Sequence, residues 1–294
     1  MAIDPGSTVP RRQLGRYLRE LREEAQVTVK VASEELEWSA PKIWRIESGA
    51  TSMRALDVEA MCRLYGATPE VTTALMGLAR ETKARGWWHA YGDAVPTWFE
   101  LYVGLESAAT RLRSYEPELI PGLLQTEAYA TEVFRVHHPD KPAAEIERGV
   151  AVRTERQSIL TRARPAPPTV EFVINEAVLR RPLADRAAMA DQLAHLGKAA
   201  ALSNVSIRVL PLAAGLHRAA MAGGMFTILD FAGDSRHKPE PSVVYSDGYT
   251  GALYLDKPNE LKAYNAVWSG LSAACPDQRE SRRLIASVAK EYQS

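Results

Sequence analysis

An excess of either positive or negative charge is missing from this sequence. Thirty-six lysine and arginine residues meet 36 aspartate and glutamate residues, so the chain carries no net charge. Bulk electrostatics therefore single out neither a nucleic acid nor a membrane surface as partner. Cysteine is scarce as well. Cys62 and Cys275 lie far apart and outside any CxxC spacing, which excludes a disulfide framework and a cysteine-rich zinc site. That usage fits a reducing, cytoplasmic compartment. Long apolar runs are absent. Stretches such as Leu210 to Leu216 are far too short to cross a bilayer, and no apolar segment near the N-terminus marks a secretory signal. No membrane partner is expected. The 18 glycines and 18 prolines are too few for a low-complexity chain. What is there is ordinary globular composition: 294 residues, 46% hydrophobic and 24% charged, enough for a sizeable core and two domains.

The pattern divides the chain into a flexible tail over 1–10, a helical domain over 11–86 and an α+β domain over 87–294. The first domain reads as five short helices, about 11–25, 29–36, 40–48, 55–65 and 69–84. Ser39 and Thr68 stand at N-cap positions, Pro69 at the first helical position, and Gly49 just past a helix end. Arg12, Arg16 and Arg19 form one helix face, and Leu14, Leu18, Leu21 and Ala25 the apolar one. In the second domain, helical periodicity runs from Trp98 to Tyr115, with further helices over 126–136 and 143–162. Short β-like runs follow at 169–175, 205–210, 225–231, 242–246 and 252–255, with helices about 185–202, 258–273 and 277–292. The expected fold is therefore multidomain: an all-α five-helix bundle, then α+β.

The informative stretch is Thr28 to Gly49, TVKVASEELEWSAPKIWRIESG. Two helices of eight to ten residues meet at a tight turn over Glu37, Trp38 and Ser39. Val31, Leu36, Ile43 and Ile46 supply the inner faces, and the small Ser33 falls where the helices cross. This is helix-turn-helix geometry. The second helix of such a pair lies in the major groove of double-stranded DNA, with its first residues at base edges. Ala40, Pro41, Lys42, Trp44 and Arg45 face outward, joined by Lys30 and Ser39 as candidate contacts. Lys42 and Arg45 can donate to guanine edges or to phosphates.

The segment Leu14 to Gly49 resembles the Xre, or Cro/CI-type, helix-turn-helix domain, and EWSAPKIWRIESG is similar to an actinobacterial subgroup of it. In that subgroup a long C-terminal domain follows, similar to WFELYVGLESAATRLRSYEPELIPGLLQTEAYA and SDGYTGALYLDKPNELKAYNAVWSGLSAAC here. The resemblance implies a DNA-binding transcriptional regulator with an antitoxin-like C-terminal domain, often encoded beside a small protein partner. Arg22 and Glu47 occupy positions that pair across the domain in related folds. Four residues depart from the wider pattern: Val29 in place of glutamine, Glu37 in place of the turn glycine, Pro41 at a base-facing position, and Arg54 where a serine cap is usual.

Enzyme chemistry finds no support in the residues. The six histidines fall in no metal-ligand spacing, and no nucleophile motif or phosphate loop is present. No catalysis, metal or cofactor is expected. Glu116 and Glu118 read as a solvated turn, and Cys62 as a buried structural thiol. Trp87, Trp88, Tyr91, Trp98, Phe99 and Tyr102 form either a domain or dimer core or an aromatic pocket wall. Tyr245, Tyr249 and Tyr254, with Gly248 and Gly251 between them, are candidates for binding a partner or a ligand. The leading expectation is a homodimeric regulator, because one isolated helix-turn-helix covers too few base pairs for useful specificity. The alternative is a ligand-sensing regulator whose C-terminal domain binds a small molecule.

Overall fold

The computed structural model describes residues 8–81, 97–222, 224–232, 240–248 and 251–293. The chain divides into two compact units. The first holds helices α1 (Thr8–Glu24), α2 (Val29–Glu35), α3 (Ala40–Glu47), α4 (Ala55–Leu64) and α5 (Pro69–Glu81). Residues 103–108 also cluster with it. α1 begins at Thr8, three residues before the expected start, so the last part of the supposed tail is helical.

The core of this unit is Leu14, Leu18, Ala32, Ile43, Ile46, Val58, Met61 and Cys62 with their neighbours. Two expected core positions are corrected. Val31 is 42% exposed and Ala32 is fully buried instead, because the seven-residue α2 touches the bundle along a narrower stripe than its apolar residues suggest. Ala25 is exposed, since α1 ends at Glu24 and the chain turns away with Gln26 at φ 57°. Cys62 is a free, buried thiol, and burial pushes its pKa up.

The second unit contains 97–102 and the chain from 109 onward. Helix α6 (Thr97–Ala108) ends before β1 (Arg111–Glu116), where the periodicity predicted continuous helix to Tyr115. The reason is tertiary: β1 is central, pairing parallel with β2 (Thr169–Asn175) and antiparallel with β4 (Phe226–Asp230). Both of its faces are covered, so no apolar–polar alternation marks it. The charged Arg113 is accommodated by Asn265 Oδ1 at 2.6 Å and Asp230 Oδ2 at 3.0 Å.

The six-stranded sheet has the order β3-β2-β1-β4-β5-β6, with β3 (Val205–Leu210), β5 (Val243–Gly248) and β6 (Gly251–Leu255). Helices α7 (Glu127–His137) and α8 (Ala143–Gln157) precede β2, while α9 (Glu176–Arg180) and α10 (Arg186–Ala199) lie between β2 and β3. The helix expected to reach 162 stops at Gln157 and continues as a 3-10 turn over Ser158–Leu160. One sheet face, with Tyr115, Val173, Phe226, Ile228 and Val244, packs on Trp268 and Leu271 of α11 (Pro258–Ala274). At the β3 edge, Ser281 of α12 (Gln278–Gln293) accepts the Val209 N–H at 3.1 Å, so a helix satisfies an edge donor. The architecture is thus a helical unit followed by an α+β unit. No described helix is long and apolar enough to cross a membrane.

Candidate nucleic-acid interface

The α2–α3 pair is assembled from local signals. Thr28 Oγ1 accepts the Val31 N–H at 3.2 Å and starts α2. At the turn, Glu37 adopts φ 53°, a left-handed conformation that costs a side-chain-bearing residue energy. The turn is held by Trp38 N–H donating to Ser33 O at 3.0 Å, and by the Ser33 hydroxyl donating to the Trp38 carbonyl. Ser33 is therefore a turn clamp. The residue that permits close approach of helices is Gly15 of α1, where a Cβ would overlap the Ile46 and Glu47 carbonyl oxygens. Ser39 stands at the N-cap of α3 by position, yet its hydroxyl makes no capping bond.

Ile43 and Ile46 are buried, whereas Ala40, Pro41, Trp44 and Arg45 are exposed, Trp44 by 67%. Ser39 and Lys30 are exposed too, with Lys30 Nζ 4.0 Å from Glu34. Lys42 is half-buried: its ammonium sits 3.4 Å from the centroid of the Trp38 ring. That contact orients the cation at the start of α3 and reduces the rotamer freedom lost on binding. The missing N–H of Pro41 costs nothing to the helix, because the first-turn donors have no intrahelical partner.

Behind this face, Arg22 Nε donates to Glu47 Oε1 at 2.7 Å and Nη2 to Oε2 at 2.9 Å. Arg22 Nη1 also donates to the Val27 carbonyl at 3.0 Å. The fork ties α1 to the end of α3 inside the bundle, and the Glu47 bond raises the guanidinium pKa further. Arg54, at the N-cap of α4, makes a bidentate pair with Asp57 at 2.9 and 3.0 Å in place of a hydroxyl cap. Its hydrogen bonds pull the Asp57 pKa below the usual carboxylate value. On α1, Arg16 and Arg19 pair with Glu20 and Glu23 one turn on, at 3.8 and 3.1 Å, as a solvated surface row does.

In the second unit the tyrosine candidates separate. Tyr245 is only 1% exposed, with its ring centroid 4.1 Å from that of Tyr102 and 5.3 Å from that of Tyr254. It is core, so it presents no surface to a partner. The register explains this: Tyr245 faces Thr227 on one side and Tyr254 on the other, under α6. Tyr254 is half-buried on β6. Tyr249 lies outside the described residues, as do Trp87, Trp88 and Tyr91. Phe99 and Tyr102 stack at 5.2 Å.

A family signature described as a helix-turn-helix domain matches residues 13–75, and a domain of unknown function, DUF5753, matches residues 99–287. The chain belongs to the DUF5753 family. No curated protein and no solved structure matches the chain. The α1–α5 unit is thus a helix-turn-helix domain, and the sheet with its helices falls within the DUF5753 region.

The DUF5753 region also holds a group of charges that sequence reading missed. Glu116 does not lie in a solvated turn; it ends β1, half-buried. Burial pushes its pKa up to about 8, with Asp247 adding to the rise and the Ser114 hydroxyl, 2.9 Å away, opposing it. The charged or titratable groups around it are Asp247 on β5, Arg153 and Arg156 on α8, and Tyr129 on α7. Arg153 donates to Gln125 Oε1 at 2.8 Å, and burial lowers its pKa to about 10. A carboxyl whose folded pKa exceeds its unfolded value is stable in the folded state while protonated. That stabilisation is lost as pH rises from the unfolded value toward about 8. Glu116→Gln is therefore expected to become progressively more stable than the wild type as pH rises across that window. Urea denaturation at several pH values checks it; identical pH profiles for the two proteins would refute the assignment.

Proposed function

We propose that the chain is a sequence-specific transcriptional regulator that binds double-stranded DNA through the outer face of α3. The observation that carries this reading is the sidedness of one helix: Ile43 and Ile46 are buried, while Ala40, Trp44 and Arg45 face solvent beside an oriented Lys42. The match of a helix-turn-helix signature to residues 13–75 supports it, as does the resemblance to the Xre subgroup. Arg45→Ala, which removes a base-edge donor, is expected to weaken operator binding by about 1–3 kcal/mol and to relax one position of the operator. Lys42→Ala, which removes a phosphate contact, is expected to weaken all sequences alike and to lower the salt slope by about 1. Fluorescence anisotropy on operator duplexes measures both, and wild-type affinity in both variants would remove the assignment.

The regulator works as a homodimer held by residues beyond 86, since two-fold pairing doubles the DNA contact. Its C-terminal domain is antitoxin-like and binds a small protein encoded nearby, without catalysis or cofactor. Strand β6 supports such docking: it pairs with β5 alone among the described strands, contains no charged residue, and exposes Leu253 by 60%. Light scattering on the full chain at micromolar concentration is expected to give the mass of a dimer; a monomer would contradict the assembly. A copurifying small protein is expected to change operator affinity, and by linkage DNA changes its affinity by the same factor.

A further inference from the structure

We propose that the outer face of α12 is a second DNA-binding surface, one that takes the phosphate backbone of double-stranded DNA without reading its sequence. The proposal rests on the reading of the chain as a DNA-binding protein and goes beyond it, because it gives the second unit a part in DNA binding that is separate from α3.

The sequence of α12, QRESRRLIASVAKEYQ, divides by face. Ser281, Ile285 and Val288 are buried. Arg279, Arg282, Arg283 and Lys290 are exposed. At 3.6 residues per turn these four fall within about 100° of one another around the helix. A chain without net charge thus carries a local row of cations. The inner side of the helix is fixed. Ser281 Oγ accepts the Val209 N–H of β3, the Arg282 guanidinium donates to the Ala200 carbonyl, and Arg186 Nη2 donates to the Glu291 carbonyl at 2.7 Å. The outer side is left open. Arg279, Arg282 and Arg283, with Gln278 and Ala286, line an open groove whose described lining holds no carboxylate. Nearby acids do not answer the row. Glu291 pairs with Arg180 at 3.1 Å, and Asp277 accepts the Glu280 N–H at 2.8 Å. Glu280 flanks the row without forming an ion pair with it among the described residues. Arg279, Arg283 and Lys290 likewise make no ion pair or hydrogen bond among the described residues.

The shape of the row selects the partner. Arg279 and Lys290 lie at the two ends of α12, about 16 Å apart along the axis at 1.5 Å per residue. One strand of DNA presents a phosphate about every 3.4 Å of axis, so the row meets several phosphates together. A small anion needs donors that converge from several sides, whereas these project from one helix. A protein partner or a lipid surface needs large apolar anchors. No large exposed hydrophobic residue of the described chain lies on α12, and between its cations the helix shows Ala286 and Ser287 to solvent. Guanidinium groups without such anchors suit phosphate oxygens. Contacts of that kind position a protein on DNA and carry no sequence information.

The test measures binding of the full chain to its footprinted operator and to a random duplex of equal length, by fluorescence anisotropy over a range of salt. Arg279→Gln/Arg283→Gln/Lys290→Gln keeps good helix formers at exposed positions. It is expected to weaken both duplexes by the same factor and to reduce the slope of log K against log salt by about 2–3. Arg279→Lys/Arg283→Lys, with its charge retained, should keep the wild-type slope. An unaltered slope in the triple variant would overturn the proposal, as would a loss confined to the operator. Equal loss in the lysine variant would also overturn it, because charge would not be the cause. Unchanged DNA binding with lost binding of poly-glutamate would make the face an acidic-protein surface instead. Failure of the α3 reading looks different: Lys42→Ala/Arg45→Ala would keep the operator preference while the α12 variant still lowered the slope. A chain that binds neither duplex would overturn both.

Discussion

Glu47→Ala is expected to destabilise the helical unit by about 3–5 kcal/mol, the cost of leaving a buried guanidinium without its carboxylate. Both side chains are shielded, at 10% and 6% exposure, and both Glu47 oxygens are engaged by Arg22. The loss has two parts. Arg22 keeps its bond to the Val27 carbonyl and a longer contact with the exposed Glu23 at 3.6 Å, but has little access to water. The last turn of α3 also loses its tie to α1. Replacing both partners, as Arg22→Met with Glu47→Leu, removes the stranded charge and is expected to recover most of the stability. Urea denaturation combined with amide hydrogen exchange over α1 to α5 measures both. A single variant within about 1 kcal/mol of wild type would mean that the pair behaves as a surface salt bridge.

Tyr245→Ala is expected to cost the second unit about 3–5 kcal/mol, as for other large aromatic-to-alanine changes in a core. The ring lies between Tyr102 and Tyr254, with Phe99 at 6.5 Å, and its hydroxyl donates to Asp247. Tyr245→Phe keeps the packing and forfeits one hydrogen bond, so it should cost only about 0.5–1.5 kcal/mol. The comparison separates packing from polarity. Equal small effects from both variants, in calorimetric or urea unfolding, would show that Tyr245 is not a packing centre.

The two units differ in how far the sequence reveals them. In the first, helix starts and stops are written locally: Thr28 caps α2, Pro69 opens α5, and Gly49 takes φ 73° after α3. The outward residues of α3 follow from helical spacing alone. The Arg22–Glu47 pair came from the resemblance, since nothing local joins residues 25 apart in sequence. Val31 departs from expectation because apolarity does not say how much of a short helix the bundle covers, and Ala25 because α1 ends one residue before it.

In the second unit, β2 and β3 were legible as β-branched runs, whereas β1 was not. RLRSYE contains no β-branched residue and is a strand only because partners about 60 and about 115 residues later pair with it. The charge group around Glu116 was hidden for the same reason. Its members come from β1, β5 and α8, and only the register of the sheet brings them together. Tyr245 and Tyr254 look equivalent in sequence, but Tyr245 is flanked by strands on both sides and Tyr254 lies on the edge strand.

Genomic footprinting of the bound full-length chain, run beside the Lys42→Ala/Arg45→Ala double variant, tests the central claim most directly. The account predicts discrete protected sites that share a two-fold-related sequence and vanish in the double variant. Protection that is absent in the wild type, or that persists unchanged without Lys42 and Arg45, would contradict it.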